Sequence, residues 1–168
     1  VFGLLAFSFF MGSVAHGLDK QASMREALWM LLFLCLGVAV ALLVAGALFD
    51  WRGRDMAKRL VWLIAAASII FFVLSRFFDG ALIIFVIYEA LAIICTLAIY
   101  SFLAVTHRLK GSGLISLAIL LSIVAAGVQA SHVSMKVLFP FDHNGIFHLI
   151  EMVTLATLGW GLRIGMKP

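Results

Sequence analysis

The chain has 168 residues, of which 65% are hydrophobic and 12% charged, with a formal net charge of +4. Its mean hydropathy of +1.19 lies far outside the range of soluble domains, which excludes a soluble enzyme. The positive balance calls for no nucleic-acid partner, because basic membrane loops account for it.

Ala27 to Phe49 is a run of 23 residues without a charge or a proline, long enough to cross the hydrocarbon core as a helix. Backbone groups must be satisfied inside lipid, which leaves helices or a closed barrel. Continuous apolar runs, rather than ten-residue alternation, select helices. The expected fold class is therefore all-α, a polytopic transmembrane helix bundle. In chain order the helices fall at Val1–His16, Glu26–Asp50, Lys58–Ser75, Ala81–Thr106, Gly113–Ser131 and Asn144–Arg163. The third has only 16 residues between Arg59 and Arg76, and both arginines can snorkel to the headgroups. The chain opens on Val, so six is a minimum count, and a helix ahead of Val1 would make seven. There is no basic n-region or A-x-A site before His16, so no cleaved signal peptide is expected. No repeat, low-complexity tract or linker divides residues 1–168, which read as one transmembrane domain. Cys35 and Cys95 lie in apolar runs without metal-type spacing and read as packed thiols.

The distribution of Lys and Arg sets the expected orientation. Arg52, Arg54, Lys58, Arg59, Arg108, Lys110, Arg163 and Lys167 make eight on one side, against four (Lys20, Arg25, Arg76 and Lys136) on the other. The Asp50–Arg59 loop and the C-terminus are accordingly expected in the cytoplasm, of a bacterial inner membrane. His16, His132, His143 and His148 then gather at the outer level, leaving only His107 on the cytoplasmic face.

The stretch "FPFDHNGIFHLIEM", residues 139–152, concentrates polar side chains at the mouth of an apolar helix. Asn144, His148 and Glu151 fall at i, i+4 and i+7, one stripe of a helix. Glu89, in "VIYEALAI", and Glu151 both lie inside spans, where a carboxylate costs several kcal/mol unless paired, protonated or facing water. Gln129 and Ser131 add polar atoms near the outer end of helix 5, as Ser13 does one turn before His16. An outward-facing polar pocket of His16, Glu89, His143, His148 and Glu151 is expected, with Asn144, Gln129 and His132 around it. Plainer roles compete: Asp142 or Asn144 as the N-cap of helix 6, and Glu151 as packing glue to Tyr88 or Gln129.

Three histidines from two helix ends suit zinc with an open position for water. His16, His143 and His148 would be the ligands, and Glu151, Glu26 or Asp19 the carboxylate that takes a proton from that water. "GSVAHG" with "HNGIFHLI" resembles the CREST membrane hydrolase superfamily, which contains the alkaline ceramidases and the progestin and adipoQ receptors. That resemblance implies a seven-helix fold, zinc held by three histidines, Ser13 and an acid beside them, and cleavage of a lipid amide. Ser13 stands three residues before His16 where the superfamily has four, and Asn144 stands where its last helix has a histidine. Over most of its length the chain also resembles uncharacterised bacterial multi-pass proteins with an H-N-D-x-x-H-L-I-Q type motif, which implies fold and topology but no activity. A b-type haem between His16 and His148 or His132 is the rival cofactor. The alternatives without a metal are a proton-coupled transporter using Glu89, a sensor, or a non-catalytic subunit that needs a partner or an oligomer. Membrane lipids are the surroundings in every case.

Overall fold

The computed structural model describes residues 2–17, 22–77, 81–131, 134–136 and 140–166. Among them are six α-helices: α1 (Phe2–Gly17), α2 (Ala22–Arg52), α3 (Arg54–Phe77), α4 (Ala81–Val105), α5 (Ser112–Gln129) and α6 (His143–Gly165). A two-residue antiparallel bridge precedes α6, pairing β1 (Met135–Lys136) with β2 (Pro140–Phe141); Met135 lies opposite Phe141 and Lys136 opposite Pro140. Five helices, α2 to α6, are long and apolar enough to cross a membrane. The expected all-α membrane architecture is what the chain adopts.

Side-chain exposure agrees with lipid surroundings. Trp62 is 79% exposed, and Ile83, Leu91 and Ile94 are also largely exposed on α4. Such broad apolar exposure is rare on soluble monomers but ordinary against acyl chains. Two compact units make up the chain, Val1–Thr96 and Leu97–Pro168. Their boundary falls inside α4, where neither glycine, proline nor charge marks it.

In the first unit the core is aromatic. Phe33 of α2 and Phe71 of α3 both pack on Phe85 of α4, with ring centroids 5.4 and 5.7 Å apart, and Phe71 stacks on Tyr88 at 4.7 Å. The Tyr88 hydroxyl donates to the carbonyl of Gly37, 3.1 Å away, and meets the Ser68 hydroxyl at 3.1 Å. These contacts join three helices through one phenol, the kind of polar glue that membrane helices use.

The basic stretch expected as a loop between Asp50 and Arg59 is instead helical except at Gly53. That residue takes the left-handed conformation at φ 81°, which glycine adopts without a Cβ penalty. Its N–H donates to Phe49, and its carbonyl accepts from Ala57 at 3.2 Å, so one helix ends where the next begins. α3 thus gains its first turns from Arg54 to Arg59, which lengthens the short third span.

At the end of α4 the left-handed residue is His107, at φ 52°. Its N–H donates to Ala104 and that of Arg108 to Leu103, the paired bonds of a Schellman motif. His107 therefore closes a helix.

Candidate functional site

The second unit is organised by the close antiparallel pairing of α5 and α6. A Cβ built on Gly161 would meet Ile115 Cγ1 at 2.8 Å and the Gly111 carbonyl oxygen at 3.1 Å, so the backbones approach where only glycine fits. This contact sits at the start of α5 and the end of α6. Gln129, which closes α5, therefore shares the opposite end of the pair with the start of α6.

There the Asp142 carboxylate accepts the Gly145 N–H at 2.8 Å, and its carbonyl accepts the Ile146 N–H. Asp142 is the N-cap expected of this segment, and such a cap stabilises a helix by about 1 kcal/mol. Asn144 is not a cap; it lies inside the first turn, exposed. His143 was expected ahead of the helix but is its first residue. Five helical positions separate the two imidazoles by about 140° around the axis.

Asn144, His148 and Glu151 do share one stripe. Asn144 and His148 are exposed, with the His148 ring edge-on to Phe147 at 5.0 Å, while Glu151 is half-buried. Its carboxyl bonds the hydroxyl of Ser122 on α5, more than one turn before the Gln129 expected as a partner on that helix. His143 belongs to a different line, with Ile150, Thr154 and Gly161 at offsets of 7, 11 and 18, which recur on one helical face. Gly161 places that face against α5. Thr154 on it is 3% exposed, and its hydroxyl has no hydrogen-bond partner among the described residues.

Glu89 is half-buried on α4, directly after Tyr88, and Glu26 is exposed near the start of α2. Gln129 is exposed. Ser13 and His16 fall within α1, but their side chains lie outside the described residues, as do Asp19 and His132 altogether. The haem alternative rests on those side chains. Among the described residues no three of His, Cys, Asp and Glu stand close enough to hold a metal ion. His143 and His148 are held about 140° apart on one regular helix, and His16, the third ligand expected with them, has its side chain outside the described residues. Protein purified without chelator or nickel is expected to carry well under an equivalent of zinc by plasma mass spectrometry. A full equivalent, lost in both His143→Ala and His148→Ala, would restore the three-histidine site.

Ser122 and Thr154 are the residues that sequence reasoning passed over. Thr154 was within reach, since it stands one turn after Glu151; Ser122 was not, since only the helix pairing selects it.

The fold and this polar helix pair define a multi-pass α-helical membrane protein with an acidic side chain inside a span. The chain belongs to a family of unknown function, DUF6962, whose model matches residues 1–167. No curated protein and no solved structure matches it.

Proposed function

We propose that the protein is a proton-responsive membrane protein, either a sensor or the proton-handling part of a transporter, with Glu151 as the group that takes up and releases the proton. The observation that carries this reading is the half-buried Glu151 carboxyl within a span, bonded to Ser122. An ionisable residue at that depth is costly and is by default functional. Neither helix offers a lysine or arginine nearby: α5 has none, and Arg163, the only one on α6, lies 12 positions from Glu151. At 1.5 Å per residue that is about 18 Å along the helix.

His148 completes the path. It stands exposed one turn outward from Glu151 on the same stripe, and residues three apart are neighbours on a helix. An imidazole carries one nitrogen that donates and one that accepts, and so can relay a proton. The lysine and arginine distribution favours the outer side of the membrane for this end of α6. Protons would therefore reach Glu151 from outside through His148.

The test is infrared pH-difference spectroscopy of protein in lipid bilayers. A protonated-carboxyl band that appears and disappears with pH is expected in the native protein and lost in Glu151→Gln. Identical spectra for the two proteins would remove Glu151 from the role.

A further inference from the structure

Five of the described serines and threonines turn their hydroxyls back onto their own helix. Ser8, Ser68, Thr96, Thr106 and Thr157 all donate to the carbonyl four residues earlier, at 2.7 to 2.9 Å. This is the ordinary way to satisfy a hydroxyl inside lipid. Thr154 does not do so, although it is 3% exposed and has the carbonyl of Ile150 four residues before it. A buried polar atom left unpaired is costly. Its position makes that cost informative. Thr154 is one turn from Glu151 and faces α5, the helix that supplies Ser122 to the same carboxyl.

We propose that the Glu151 carboxylate, the Ser122 hydroxyl and the Thr154 hydroxyl form a binding site for a small monovalent cation, with sodium as the ion. This rests on the reading of Glu151 as a proton-exchanging group, because the ion takes the place of the proton. All three side chains offer oxygen, the donor that hard cations prefer. One carboxylate supplies one negative charge, so a monovalent ion leaves the site neutral in the apolar span, whereas a divalent ion would leave it charged. Within the second unit the other titratable groups on and around the helix pair lie toward its ends. α5 has none, and α6 adds His148 one turn outward, His143 two turns outward and Arg163 at the far end. His107, Arg108 and Lys110 precede α5 at that same far end, and residues 97–105 contribute only Tyr100. Ser116, the other buried hydroxyl without a partner among the described residues, lies six positions from Ser122, about 120° around α5, and is not part of this site.

The test is the melting temperature of detergent-purified protein in sodium, potassium or choline chloride at constant ionic strength. Sodium is expected to raise the midpoint saturably and the others not, since a ligand that binds only the folded state stabilises it. Thr154→Val keeps the shape and removes the hydroxyl, and should weaken the half-saturating sodium concentration by about tenfold or more. Thr154→Ser should retain the native response. Equal shifts in all three salts, or a native response from Thr154→Val, would overturn the site. The infrared titration separates the two readings. A pH-responsive Glu151 band without a sodium shift leaves the proton role standing and removes the ion. A sodium shift lost in Thr154→Val, without that band, keeps the ion and removes the proton.

Discussion

Gly111→Ala is expected to destabilise the protein by about 2–5 kcal/mol, the largest effect of any glycine-to-alanine change among the described residues. Two costs add at this position. Gly111 sits at φ 82°, where a residue with a Cβ costs about 1–2 kcal/mol. The new methyl group would also run into the carbonyl of Gly161 and crowd the Ile164 Cβ at 3.2 Å, and overpacking costs about 1–3 kcal/mol. The neighbouring Gly113→Ala is the internal control. It lies within α5 with nothing inside 4 Å of an added Cβ, so helix propensity should make it neutral or stabilising by up to about 1 kcal/mol. Melting temperatures in detergent measure both. Equal midpoints for the two variants would mean that α5 and α6 do not meet through Gly111. The effect should reach beyond stability, because this contact fixes which residue of α5 lies beside Glu151. A helix pair pushed apart at Gly111 should lose the Ser122 bond and, with it, the infrared response of the carboxyl.

That dependence explains which parts of the molecule were legible in its sequence. The spans were, because each is a local run of apolar residues whose length alone determines the outcome. The Asp142 cap was legible too, since an N-cap is a contact between residues three apart. The α2–α3 junction was misread because charge marks a membrane surface but does not stop a helix; Gly53 stops it, and a single glycine among charged residues is a weak signal. His143 was expected in an irregular lead-in, yet Asp142 caps so close ahead of it that the helix takes the histidine in. The stripe of Asn144, His148 and Glu151 was read from helical period and holds. Its partner on α5 could not be read that way. Ser116 and Ser122 are equivalent as letters in an apolar run, and only the crossing at Gly111 and Gly161 brings Ser122, not Ser116, to the carboxyl. Thr154 shows the same limit from the other direction. Its place on α6 is periodic, but that its buried hydroxyl finds no partner among the described residues is a fact of the pairing.

The sign of the effect of Glu151→Leu on stability separates function from packing. If the carboxyl were only glue between helices, its removal would cost the Ser122 bond, which among membrane helices averages about 0.6 kcal/mol and reaches about 1.7. If it is held for proton or ion exchange, the apolar side chain should stabilise the protein instead. An acidic residue at the centre of a span is penalised by about 2.5–3.5 kcal/mol on insertion, and leucine removes that penalty. The abandoned Ser122 hydroxyl lies within a regular helix, so it can turn to the Ala118 carbonyl as Ser68 does to Ile64. We therefore expect Glu151→Leu to raise stability by about 1–3 kcal/mol in sodium-free buffer, with both the carboxyl band and the sodium shift abolished. Chemical denaturation in detergent gives the stability, and a lower stability than the native protein would return Glu151 to a packing role. A gain in stability joined to a loss of response is the pattern of a site kept for what it does rather than for what it holds together.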